Sequence, residues 1–168
     1  MQAAVLYVAT NPQVYSKLMP EIIAAEAAGT ISHPIKYQEA LRLPYLQAVI
    51  KESLRIYAPA GCPMPRLVPP GGARFCGFFI PEGTWIEMSH WALNRRKETY
   101  GEDADLFRPE RWLEDEERAR AWEKADMNWG AGYCTCLGKN IALMEINKTV
   151  VEVTNLPLHS VPELFRRL

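Results

Sequence analysis

Apolar positions recur along this chain at intervals of three and four residues, and prolines and glycines mark where each run stops. Ala3 to Thr10 reads as the closing part of a helix. Asn11-Pro12 supplies an N-cap followed by proline at the first helical position. Val14, Tyr15, Leu18, Met19 and Ile22 then follow at helical spacing, and Pro20 is expected to kink or end that helix. Gly29 closes the Ala-rich segment, and a loop through His33-Pro34 follows. Pro44 opens the next helix, Leu46, Val49, Ile50 and Leu54 give it a buried face, and Pro59 stops it. Arg74 to Ile80 and Thr84 to Met88 alternate and predict a hairpin across Pro81-Glu82-Gly83, with Phe78, Phe79 and Trp85 covering a core. His90 to Arg95 suits one or two helical turns. Ala119 to Met127 reads as a solvated loop or short helix. Ile141, Leu143, Met144, Ile146, Val150 and Val151 surround a helix almost completely, which predicts burial on most sides. The pattern breaks after Val153, at Asn155, Pro157 and Pro162. The expected fold is mainly α with a small β-hairpin region. Residues 1–153 form one segment, and residues 154–168 a divergent tail.

Composition narrows the function. A chain of 168 residues can bury one core, and 48% apolar with 23% charged residues is ordinary for a globular protein. A net charge of −1 gives no electrostatic case for nucleic acid. The apolar runs are too short to span a bilayer, and no secretory signal opens the chain. The four cysteines are Cys62, Cys76, Cys134 and Cys136. Their spacing, one C-x-C and two singles, does not suit a zinc module. Cys62 and Cys76 read as small apolar residues.

The chemistry concentrates in Trp129-Gly130-Ala131-Gly132-Tyr133-Cys134-Thr135-Cys136-Leu137-Gly138, just before the apolar helix. Gly130 and Gly132 permit backbone shapes closed to other residues and let a flat group lie against the main chain. A cysteine just before a helix feels the positive end of its dipole, which favours the thiolate. A thiolate so placed is a good axial ligand for haem iron. The plainer alternative is a Gly-rich turn with a buried structural cysteine. Elsewhere Glu52 and Arg55 sit three apart on one helix face, a spacing that by itself usually marks a solvated pair.

These residues together resemble the cytochrome P-450 family of haem-thiolate monooxygenases. Its signature is an aromatic, two residues, Gly, one residue, Arg, one residue, Cys, one residue, Gly. Trp129, Gly132, Cys136 and Gly138 fall in register, and Cys134 stands at the Arg position. Glu52-x-x-Arg55 and Phe107-Arg108-Pro109-Glu110-Arg111-Trp112 resemble two further motifs of that family. The spacing from Asn94 to Leu113 is most similar to filamentous-fungal members. The resemblance implies the C-terminal part of the P-450 fold, with the distal helices and nearly all of the substrate pocket expected before residue 1. It implies haem held by the Cys136 thiolate and a propionate contact at Arg66. It also implies a buried structural triad of Glu52, Arg55 and Arg111. The implied activity inserts one oxygen atom from O2 into an apolar organic substrate. Electrons would come from NADPH through a flavoprotein reductase. Complete relatives are anchored in the endoplasmic reticulum membrane. The alternative expectation is a catalytically inactive remnant lacking the oxygen-activating half.

Overall fold

The computed structural model describes residues 1–60 and 64–155. Four longer helices build the main core: α1 (Gln2–Thr10), α2 (Pro12–Ala27), α4 (Pro44–Ile56) and α9 (Lys139–Thr154), with the single turn α3 (Tyr37–Ala40) between α2 and α4. Val8, Leu18, Ile22, Leu46, Val49, Val150 and Val151 close over one another there, joined by Ile35 from the loop before α3. The helix residues among them are apolar positions of the helical spacing, so area burial accounts for the packing.

Two carboxylates fasten the connections. Glu21 accepts the backbone N–H groups of Tyr45 (2.8 Å) and Leu46 (2.9 Å). This caps α4, whose own N-cap residue, Leu43, has no side chain to do so. Glu152 on α9 accepts the N–H of Ile35 at 2.7 Å. The end of α2 is closed by Gly29 N–H to Glu26 and Thr30 N–H to Ala25, a Schellman arrangement.

Several expectations are corrected. Pro20 lies inside α2 without ending it. Pro20 and Ser16 are both exposed, so water can take the carbonyl that the proline leaves free. The side chain of Asn11 does not cap α2; its Nδ2 donates to the Tyr7 carbonyl at 2.7 Å.

The β region also pairs differently. β2 (Ala73–Phe75) pairs with β3 (Phe78–Ile80), and β1 (Arg66–Leu67) pairs with β4 (Trp85–Ile86). The inner hairpin turns at Cys76-Gly77, with φ of 49° and 86°. Two positive φ angles define the tight turn whose twist suits an antiparallel pair. Pro81-Glu82-Gly83 instead links the two pairs. Cys76 is therefore an exposed turn residue, not a packed apolar one. Phe78 (73% exposed), Phe79 (57%) and Trp85 (67%) cover no core among the described residues. Cys62 and residues 156–168 lie outside the described residues.

The remaining helices are α5 (His90–Leu93), α6 (Lys97–Tyr100), α7 (Arg111–Glu114) and α8 (Glu116–Ala125). Tyr100, Trp112, Ala119 and Trp122 make a second core with Ala48 and Ala104. Trp122 meets Trp112 edge-on at 5.4 Å, so the stretch read as solvated contributes an aromatic anchor. In α9 only the second half is enclosed; Ile141 (61%) and Met144 (40%) are exposed, against the expectation of burial on most sides.

Candidate functional site

The loop before α9 is fastened at its base. The N–H of Cys136 donates to the Trp129 carbonyl at 2.7 Å, and the N–H of Gly130 to Met127 at 2.9 Å. Between them Gly132–Cys134 forms one 3-10 turn. Thr135 ties that turn down, its N–H (3.2 Å) and Oγ1 (2.8 Å) both donating to the Gly132 carbonyl. Gly138 then caps α9, which runs for 16 residues. Cys134 and Cys136 are both exposed free thiols.

Gly130 is the position where the loop tolerates no side chain. Its φ is +72°, and a Cβ would come within 2.5 Å of the Cys134 carbonyl oxygen. Gly132 has φ +60° but open space around a Cβ. Replacing Gly130 with Ala is expected to cost about 1–3 kcal/mol from backbone strain, and more from the clash. The Gly132→Ala change meets the strain alone. Thermal unfolding should rank Gly130→Ala as the more destabilising; the reverse order would show that the loop is held differently.

Glu52 is 0% exposed, Arg111 1% and Arg55 2%. The Glu52 carboxylate accepts five hydrogen bonds: two from Arg55, one each from Arg111 Nε and Trp112 Nε1, and one from the Arg108 backbone. The rest of Arg55 donates to the carbonyls of Asn94, Ala104 and Leu106. Arg111 also reaches the carbonyls of Tyr100 and Asp103, and the Asp103 carboxylate at 3.1 Å. Two buried guanidinium groups thus face two carboxylates, which is what makes burying them tolerable. Burial works to raise the Asp103 pKa, but hydrogen bonds and charge from Arg108 and Arg111 hold it below the usual carboxylate range.

This cluster connects to the loop. Arg55 holds the Asn94 carbonyl, and Asn94 Nδ2 donates to Asn128 Oδ1 at 3.0 Å. Asn128 Nδ2 donates back to Leu54 on α4 at 3.2 Å, and its N–H donates to Asp126 at 2.9 Å. Asn128 directly precedes Trp129, so the buried charges position the start of the cysteine loop through one amide pair. Glu110, just before α7, fastens the segment that carries Arg111 to α2 and α4, accepting from Lys17 and the Tyr45 hydroxyl, both at 2.7 Å.

Arg66 is exposed on β1, with Nη1 donating to the nearby carbonyls of Met64 and Pro65, both at 3.2 Å. It lines an open cleft of about 620 Å³ with Met88, His90, Gly130 and Ala131. The structure therefore places Arg66 beside the first part of the loop, across a cleft.

A family model described as Cytochrome P450 matches residues 1–154. The chain belongs to the cytochrome P450 family. A cytochrome P450 monooxygenase, ACRTS1 of Alternaria alternata, is 44% identical over 153 residues, covering 91% of this chain and 41% of that protein. Pisatin demethylase of Fusarium vanettenii is 40% identical over 147 residues, covering 88% of this chain and 27% of that protein. The chain thus spans less than half the length of these P450 relatives. The crystal structure of a cytochrome P450, CYP102L1, superposes with a TM-score of 0.74 over 91% of this chain and 34% of its own, at 22% identity. That likeness establishes the P450 fold: mainly helical, with the two small antiparallel pairs.

Beyond the triad of Glu52, Arg55 and Arg111, the scaffold of this P450 segment includes Asp103, Trp112, Asn94 and Asn128. The acidic loop from Gly101 to Asp105 was a signal that a second carboxylate stood near Arg111. Nothing in the sequence marked the Asn94–Asn128 amide pair.

Proposed function

We propose that this chain is the cysteine-bearing segment of a haem-thiolate monooxygenase, in which the Cys136 thiolate would hold the haem iron. One observation carries the reading: an exposed Cys136, fixed by its own N–H to Trp129, stands just ahead of a 16-residue helix in a loop walled by glycine. The donor set fits the group. A soft thiolate suits iron in a haem, and the loop offers it no competing contact from bulky side chains at Gly130, Gly132 and Gly138. At Gly138 the backbone does not demand glycine, and a Cβ would sit 3.8 Å from the Cys136 sulfur. Its small size would keep the face around that sulfur open to a flat ring.

In this reading Trp129 and Gly132 shape the ring's bed, and Arg66 pairs with a haem propionate. The Glu52, Arg55 and Arg111 cluster keeps the loop in place. When bound, the haem supplies oxygen activation and the insertion of one oxygen atom into an apolar organic substrate, with electrons from NADPH by way of a flavoprotein reductase. The protein contributes the ligand, its orientation and the electrostatics of the cysteine side. Complete relatives would work at the endoplasmic reticulum membrane. No described helix of this chain is long and apolar enough to cross one.

The second reading is an inactive remnant. One observation favours it: Cys134 stands where the resemblance expects arginine. The absorption spectrum of the reduced, carbon-monoxide-treated protein separates the two. A red-shifted Soret band marks thiolate-ligated haem, and its absence leaves the remnant.

Cys134 sets a further expectation. A hydrogen bond to a charged group contributes roughly 1.5–3 kcal/mol. Restoring an arginine there should therefore tighten haem binding about ten- to a hundredfold. In protein completed with the N-terminal part of a relative, Cys134→Arg should slow haem transfer to apomyoglobin. Equal rates would show that the loop no longer uses this position.

A further inference from the structure

Among the described residues one hydrogen bond joins α4 to α9. Gln47 Nε2 donates to Asn147 Oδ1 at 2.7 Å. The same nitrogen donates to the Ala40 carbonyl at the end of α3, at 2.9 Å. Asn147 Nδ2 donates to the Leu143 carbonyl one turn back, at 2.8 Å, which leaves Oδ1 to face Gln47. Asn147 is 1% exposed. A buried carboxamide that loses its partner is strongly destabilising, so the bond fixes both side chains in one arrangement.

Its position gives it leverage on the cysteine loop. Ile146, Val150 and Val151 are enclosed in the main core. Ahead of them α9 leaves that core, and Ile141 and Met144 are exposed. Lys139, Leu143 and Asn147 are four residues apart and share one stripe of the helix. Apart from the Gln47–Asn147 contact, that stripe faces Ile50 and Leu54 across a cleft of about 320 Å³. Side chains that face one another across a gap gain little dispersion, so packing does little to hold the front of α9 on α4. That front carries the cysteine: the Cys136 carbonyl accepts the N–H of Lys139 at 3.3 Å. The other flank of the loop is tied to α4 through Asn128 Nδ2 and the Leu54 carbonyl. Gln47 lies two turns before Leu54, so α4 reaches both flanks of the loop through side-chain amides.

We infer that Gln47 and Asn147 are a positioning pair: their hydrogen bond sets how the front of α9 leaves the core, and so fixes Cys136 as a ligand. The inference rests on the haem-thiolate reading above. It gives the bond control of the cysteine loop beyond its share of fold stability.

Gln47→Leu, Asn147→Leu and the double variant separate position from stability. Each single change leaves one amide without its partner. The double variant replaces both by apolar groups of similar size, which is close to neutral for stability. Two rates are read in protein completed with the N-terminal part of a relative, each at the same interval below that variant's melting midpoint. The first is amide hydrogen exchange at Cys136, measured without haem. The second is the decay of the thiolate-type band in the reduced, carbon-monoxide-treated, haem-loaded protein. Both should be about two- to tenfold faster than in the parent, in the single variants and in the double. Exchange at Val49, inside α4, should keep the parent rate. Parent-like exchange at Cys136 in the double variant overturns the positioning role. So does equal acceleration at Val49 and Cys136, the mark of a general loosening. Faster exchange with an unchanged band lifetime overturns it as well, because the ligand is then held without the pair. If a single variant does not fold, the double decides by the same readings. The band of the parent is read first. Without it the haem-thiolate reading falls and the inference with it. With the band present and exchange at Cys136 unchanged, only the positioning pair falls.

Discussion

Cys136→Ser is expected to abolish the thiolate-type absorption band of the reduced, carbon-monoxide-treated protein, while Cys134→Ser keeps it. Both cysteines are exposed, free and two residues apart, so exposure does not choose between them. The backbone does. Cys136 is the residue whose N–H closes the loop onto Trp129, and its carbonyl accepts the N–H of Lys139 at the first turn of α9. It is thereby fixed against the start of α9. Cys134 belongs to the 3-10 turn, and its carbonyl oxygen is packed against Gly130. Serine is a poor, hard ligand by comparison with a thiolate. Retention of the band by Cys136→Ser, with its loss in Cys134→Ser, would reverse the assignment.

Glu52→Ala should be the most destabilising single change outside the loop. It removes the acceptor of five hydrogen bonds and strands Arg55 and Arg111, at 2% and 1% exposure, with only Asp103 as counter-charge. Breaking a buried ion pair from one side costs roughly 3–5 kcal/mol. That is a large share of the roughly 5–15 kcal/mol by which folded proteins exceed their unfolded state. Arg108 N–H and Trp112 Nε1 also lose their acceptor, so the segment before α7 loosens with the two arginines. Glu52→Gln, which keeps the shape and one acceptor oxygen, should cost less than Ala but more than a surface change. Melting of the completed, haem-loaded protein measures both. An unchanged midpoint for Glu52→Ala would show that the cluster is solvated in practice.

The Asn94–Asn128 pair explains why that damage should reach the cysteine loop. Arg55 holds the Asn94 carbonyl, Asn94 holds Asn128, and Trp129 follows directly. The coupling passes through bonds between named groups, so it can be read without invoking a general loosening of the fold.

Local rules, readable along the chain, determined the helices and their ends. Pro44 starts α4 because a first-turn residue needs no N–H, and Gly29 closes α2 through two backbone bonds to the preceding turn. The motif residues Glu52, Arg55, Arg111 and Cys136 were singled out by spacing and resemblance, and the structure brings the first three into direct contact. Tertiary structure alone decided what depends on partners distant in sequence. It decided that Pro20 stays in its helix, because the freed carbonyl faces water. It paired β1 with β4 around the β2–β3 hairpin, because alternation marks strands without naming their partners. It left Phe78, Phe79 and Trp85 exposed, since hydropathy cannot say which apolar surface finds a neighbour. It chose Asp103, Trp112 and Asn128 as supports. A hydrogen bond joining residues tens of positions apart leaves no periodic trace in the chain, so only the folded structure can show it.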